Sequence, residues 1–128
     1  MKVKITLIVA QQNPQVSVHS NDFLKILVDN RNNLPSIYMS TKNEKQTLQT
    51  LYEKHLNVSF DWATIHLLDF RRINADLCEV LYGCKMMNIL GAENPNNGKF
   101  ISQNSNLELE SYYERILSER IRPGFIFT

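Results

Sequence analysis

Few side chains in this sequence are typed and spaced for chemistry, and two acids come first among them. Glu79 interrupts a run that is otherwise apolar at Leu77, Val80, Leu81 and Tyr82, so its carboxylate either lies on the open face of a sheet or faces a pocket. Glu53 follows Leu48 by five positions and Tyr52 by one, on the flank of an apolar stripe, where it is either solvated or a lone oxygen ligand for a divalent cation. One carboxylate alone holds magnesium weakly. Arg71-Arg72 offers two planar guanidinium forks that match phosphate oxygens, or else an ordinary solvated turn. His55, one turn after Leu51, falls on the apolar side of the helix and reads as a packed histidine. Cys78 and Cys84 share one extended stretch and lie about 20 Å apart, too far to bridge. With His19, His55 and His66 they form no zinc spacing, and both thiols read as buried spectators. No GxSxG elbow, P-loop or HExxH pair is present.

Positioning these groups is the task of a chain of 128 residues, long enough for one self-sufficient core. A hydrophobic share of 43% with a net charge of +1 excludes whole-chain disorder. The near-neutral balance of 14 basic against 13 acidic residues argues against a dedicated nucleic-acid binder. No apolar run approaches the roughly 20 residues that cross a bilayer. The start, Met1-Lys2-Val3-Lys4, leads into an apolar stretch too short for a secretory signal, so it reads as a first strand and the protein as cytoplasmic.

Residues 3–10, rich in β-branched side chains, predict that strand, and residues 23–29 a second, closed by the turn formers Asn30-Arg31-Asn32-Asn33. Residues 34–39 follow as a loop or short strand. Thr41-Lys42-Asn43-Glu44 is a capping box, which also accounts for Glu44, and Leu48, Leu51, Tyr52 and Leu56 mark one face of the helix behind it, ending at Asn57. Two strands, residues 64–70 and 77–87, flank a polar turn at Arg71-Arg72-Ile73-Asn74, and turn formers fill residues 91–98. Ser105-Asn106-Leu107-Glu108 caps a second helix with a stripe of Leu109, Tyr112, Tyr113, Ile116 and Leu117, stopped by Pro123-Gly124. Strands and helices interleave without βαβ repetition, which predicts a mixed sheet covered by helices in a single α/β domain over residues 1–128.

Residues 23–70 resemble the Nudix (MutT-like) fold, the α/β/α sandwich of a family of pyrophosphohydrolases. Leu24-Lys25-Ile26-Leu27-Val28 is similar to the strand before the family's turn, and Leu34-Pro35 to the start of its Leu-Pro-Gly-Gly loop. Leu48-Gln49-Thr50-Leu51-Tyr52-Glu53-Lys54-His55-Leu56-Asn57-Val58 is similar to the Nudix helix, with Asn57-Val58 as its terminal Gly-hydrophobic pair, and Ile65 to Phe70 matches the strand beyond. The family's helix carries several glutamates and a supporting arginine that hold divalent metal, which neutralises the diphosphate and supplies a hydroxide. Here one register puts Thr50 at the arginine, Leu51 at the first glutamate, and Lys54 and His55 at the later pair. Shifted by one, Glu53 and Lys54 take that pair, and Gln49 and Thr50 replace the Arg-Glu. A lysine among metal ligands is unfavourable by like-charge repulsion. Ser36 and Ile37 replace the loop glycines, and Ile37 cannot comfortably take their positive φ.

The resemblance thus implies a Nudix-like domain with a degenerate catalytic box, binding a nucleotide-type, nucleoside-diphosphate-linked ligand or a protein partner without standard hydrolysis. The expected ligand-binding residues are Ser36, Arg71, Arg72, Trp62 and Phe70, the aromatics near such a cleft being able to stack on a purine or simply to pack. The alternative is an active hydrolase using Mg²⁺ or Mn²⁺, with Glu53 and Glu79 as catalytic acids, Glu53 as a weak metal ligand, and a further carboxylate such as Glu108 or Glu110. A second alternative is a small oligomeric interaction protein, a homodimer for instance, whose apolar end Phe125-Ile126-Phe127 docks.

Overall fold

A computed structural model describes residues 2–12, 17, 24–39, 43–56, 62–87, 97–102, 110–122 and 125–126. Strand β1, Lys2–Gln12, is its axis. Along one side it pairs in parallel with β5, Leu77–Met87, over its whole length, from Lys2↔Leu77 to Gln12↔Met87. Its other side is shared by two short antiparallel strands: β3, Ser36–Tyr38, takes Lys4 to Thr6, and β2, Leu24–Val28, takes Ala10 to Gln12. β4, Ile65–Asn74, forms a hairpin with β5, and β6, Lys99–Ser102, extends the sheet beyond β2. The order is β4-β5-β1-β2-β6, with β3 beside β1.

The middle of β1, Ile5 to Ala10, is buried on both faces and, Thr6 aside, is apolar. Ile5, Leu7 and Val9 point to one face, where Leu48, Leu51, Tyr52 and Leu56 of helix α1, Glu44–His55, and its C-cap cover them. Ile8 and Ala10 point to the other, with Leu68 and Leu81, and meet Tyr113, Ile116 and Leu117 of helix α2, Ser111–Arg120. A mixed sheet between two helices is the α/β/α arrangement the sequence predicts, and both apolar stripes pack as expected.

Several boundaries differ. The cap of α1 is Asn43, not Thr41: its Oδ1 accepts from Gln46 N at 2.8 Å, and Asn43 N donates back to Gln46 Oε1. Asn caps as well as Thr, and the shift frees the Glu44 carboxylate to accept from the Tyr82 hydroxyl. The polar turn expected at residues 71–74 is still strand, with the reversal at Ala75-Asp76. Two bulges let this amphipathic segment stay paired with β5. Ser36-Ile37 runs as extended β3 where the resemblance has a glycine loop. β6 was not foreseen. It begins beyond Gly98, whose φ of 82° and 2.0 Å gap between an added Cβ and Val28 O leave no room for a side chain. Phe125–Ile126 folds back on Ile121–Arg122 as a two-residue hairpin. Asn57, the second capping box at residues 105–108, Leu109 of the second stripe, and Phe127 lie outside the described residues. Among the described residues no helix is long and apolar enough to cross a membrane.

Candidate functional site

The parallel register of β1 and β5 sets Lys4 beside Glu79 and Thr6 beside Leu81, on the face covered by α2. Glu79 is fully buried there. A carboxylate in such a place must be paired and hydrogen-bonded, because its desolvation is otherwise prohibitive. Its Oε2 accepts from Thr6 Oγ1 and from the Tyr113 hydroxyl, each at 2.5 Å, and Lys4 Nζ stands 3.8 Å away. Its Oε1 accepts from Arg71 Nε at 2.8 Å. Arg71 reaches on to Glu110, the residue before α2, with Nη2 to Oε2 at 3.1 Å. One guanidinium therefore ties the buried acid to an exposed one.

Aromatic rings complete the clasp. The guanidinium carbon of Arg71 lies 3.9 Å from the Tyr112 ring centre, a cation–π stack, and the Tyr112 hydroxyl donates to Asp69 Oδ2 at 2.7 Å. Burial, then the bond to Glu79, pushes the Tyr113 hydroxyl well above its ordinary range, and burial with the bond to Asp69 does the same to Tyr112. Burial pulls Arg71 down, but its bonds to Glu110 and Glu79 outweigh that and hold it charged.

In front of this clasp opens a cavity of about 380 Å³ lined by Lys4, Asp29, Arg31, Asn33, Leu34, Ser36, Glu110 and Tyr113. Local sequence shapes its wall. Asp29 Oδ1 accepts from Arg31 N at 2.8 Å and Asn33 N at 3.0 Å, an Asx-type turn, with Asn32 at φ 63°. Leu34-Pro35 then returns the chain to β3, and Leu34 anchors the loop in the core. The cavity holds two cations, two carboxylates, and the hydroxyl or amide groups of Ser36, Asn33 and Tyr113. Such a set can bind a polar, partly anionic molecule from several sides.

Of the residues singled out from sequence, Ser36 lines this cavity, and Arg71 meets its rim through Glu110. Glu79 lies beneath it, engaged by three donors. The others are elsewhere. Glu53 is exposed on α1 beside a depression shared with Gln46, Gln49 and Thr50, and Gln49 Nε2 donates to it at 3.1 Å. Since α1 and α2 cover opposite faces, the sheet separates Glu53 from Glu79, so the expected pair of acids is not brought together. Glu110, the third acid considered, does join Glu79 through Arg71, whereas Glu108 lies outside the described residues. Phe70 pairs with Val80 and is 61% exposed on the α1 face. Trp62 leans on Tyr82 on that same face, ring centres 6.2 Å apart, with Lys45 over it. Arg72 donates to the carbonyls of Asn74 and Ala75 and so braces its own hairpin. These three do not reach the cavity.

No protein-family model matches the sequence, and no curated protein does. Solved structures do. A MutT/nudix family protein from Enterococcus faecalis aligns with a TM-score of 0.59 and 13% identity over 79% of this chain; the chain spans 43% of that protein's length. The NUDIX domain of Shewanella oneidensis NrtR, solved with ADP ribose, aligns at 0.63 and 16% identity, covering 92% of this chain and 86% of its own. The complex between the C-terminal domain of mouse MUTYH and human PCNA aligns at 0.66 and 11%, with 92% and 86% covered. This chain has the Nudix fold. Identities this low speak for the Nudix architecture and leave the chemistry to the residues themselves.

Helix α1 is the one that the sequence likens to the family's metal-bearing helix. Its outward side chains at the depression are two amides, a hydroxyl and a single carboxylate. Among the described residues no three His, Cys, Asp or Glu gather as a metal site. The thiols take no part: burial pushes Cys84 up to about 12, and Cys78 Sγ lies 3.7 Å from Lys2 O. Sequence reasoning missed Lys4, Thr6, Arg31, Asn33 and Tyr113 as site residues. One signal was available. Lys4 and Thr6 are polar at alternate positions of an otherwise apolar strand, and Tyr113 brings a hydroxyl into an apolar stripe.

Proposed function

We propose that this Nudix-fold domain binds a nucleotide-type, nucleoside-diphosphate-linked ligand in the cavity between the 29–36 loop, β3 and α2, and that it lacks the standard metal-dependent hydrolysis. The observation that carries this reading is the pairing of a cavity holding Lys4, Arg31 and neutral hydrogen-bonding groups, its two carboxylates Asp29 and Glu110 being engaged by the loop amides and by Arg71, with a helix α1 bearing one outward carboxylate at its depression. Mg²⁺ sites need several oxygen ligands, usually carboxylates. Glu53 with two amides and a hydroxyl, next to Lys54, does not fit such an ion, so no metal-assisted step is assigned to it. The diphosphate of the ligand would meet Lys4 and Arg31, and Ser36 and Asn33 would hydrogen-bond the neighbouring sugar or base. Glu79 is then a positioning residue, fixing Tyr113 and Arg71, rather than an acid that touches the ligand. The ADP ribose complex of the NrtR domain supports the ligand class.

Calorimetric titration with ADP-ribose, NAD and nucleoside triphosphates tests this. Binding of at least one, weakened about tenfold or more by Lys4→Ala, is the expected result. No binding to any of them would refute it and favour a protein partner instead, a reading supported by the complex of the MUTYH domain with PCNA. Phosphate release from a nucleoside-diphosphate panel with Mg²⁺ or Mn²⁺, abolished by Glu53→Gln, would restore the hydrolase.

A further inference from the structure

We propose that the outer edge of β4 pairs antiparallel with β4 of a second copy of this chain, continuing the sheet across a two-fold axis at Phe70. β4 ends the sheet, and among the described residues no strand lies on its outer side. An edge strand offers its outward N–H and C=O groups to another chain. Bulges between Leu67 and Asp69 and between Arg72 and Asn74 leave Asp69, Phe70, Arg71 and Arg72 as the regular stretch available for pairing.

That stretch is complementary to itself in one register only. Residues opposite one another in antiparallel strands share a sheet face, so a two-fold axis must pass through a residue, not between two. An axis at Asp69 sets carboxylate against carboxylate, and one at Arg71 or Arg72 sets guanidinium against guanidinium; all three are destabilising. An axis at Phe70 sets Asp69 opposite the second copy's Arg71 and Arg71 opposite its Asp69, both on the α2 face, where Tyr112 holds Asp69 and Glu79 with Glu110 holds Arg71 within each copy, so the opposite charges attract across the seam without giving up those bonds. On the α1 face it sets ring against ring. Aromatic and opposite-charge pairs are the cross-strand contacts that stabilise antiparallel sheets. Phe70 is 61% and Leu67 59% exposed, since among the described residues α1 lies chiefly over β1 and β3. A contact this short makes a weak, concentration-dependent dimer.

Sedimentation of the whole chain from about 5 to about 500 µM, the range suited to a small interface, tests the pairing. The wild type is expected to dimerise as concentration rises. Phe70→Lys, which places two ammonium groups across the axis, is expected to weaken association about tenfold, the combined effect of one ring pair lost and one like-charge pair gained. Phe70→Cys is expected to form a disulfide-linked dimer under mild oxidation. Ile73→Cys, whose mate in the same register lies about 20 Å away, is expected to stay monomeric. Both sites are exposed, so the variants keep the wild-type circular dichroism. A wild type that stays monomeric throughout, a dimer that Phe70→Lys leaves intact, or cross-linking through Ile73→Cys in preference to Phe70→Cys would each overturn the proposal.

Discussion

Changing Glu79 to Gln removes one charge and almost no volume, and the surroundings make the cost calculable. Thr6 and Tyr113 both donate to Oε2, so the amide oxygen must take that place to keep two bonds. The amide NH₂ then faces Arg71 Nε, which stood 2.8 Å from Oε1, and two donors confront each other. Losing a charge-assisted bond costs about 1.5–3 kcal/mol, and stripping a buried ion of its partner about 3–5 kcal/mol. Arg71 is 23% exposed and keeps Glu110, so the lower end applies, about 3 kcal/mol. In a chain of this length that is a fall of about 10 °C in Tm. Urea unfolding of Glu79→Gln, Arg71→Met and the double variant closes a double-mutant cycle, with an expected coupling of about 2 kcal/mol. A Glu79→Gln protein within about 0.5 kcal/mol of wild type, or strict additivity, would refute the reasoning that this buried acid holds α2 to the sheet.

Further outcomes follow from individual contacts. His55 is buried at the end of α1, chiefly its burial lowers its pKa below 6.5, and its Nδ1 has no hydrogen-bond partner among the described residues. As pH falls below 6.5 the unfolded chain takes up a proton that the folded one refuses, so stability should drop there. Unfolding free energy against pH should lose that slope in His55→Gln. Gly98→Ala should destabilise by about 2 kcal/mol or more, seen in thermal melts, since φ 82° and contact with Val28 O both oppose a Cβ. Asn43→Ala should cost about 1 kcal/mol through loss of the α1 cap, seen in thermal melts.

Periodicity made the helices and long strands legible. Leu48, Leu51 and Tyr52, like Tyr113, Ile116 and Leu117, recur at helical spacing, and they form the two apolar faces that grip the sheet. Ends were less legible, because Asn43 and Thr41 each head a plausible capping pattern on local grounds; the cap is Asn43, paired reciprocally with Gln46, and Glu44 instead accepts from Tyr82. The Arg71–Asn74 segment is polar enough to be a turn. It is strand because Arg71 has a buried acid to reach and Arg72 has carbonyls to brace.

The chain alone determined that a mixed sheet between two helices would form, and that α1 would carry little negative charge. Both follow from side-chain types at short spacing, where local geometry fixes which residues share a face. Tertiary structure alone decided what Glu79 does. Thr6 lies 73 positions from it and Tyr113 lies 34 away, and only parallel pairing of β1 with β5 beneath α2 brings the three together. Register across a sheet is set by packing the whole core at once, so it left no mark within any single stretch of the sequence.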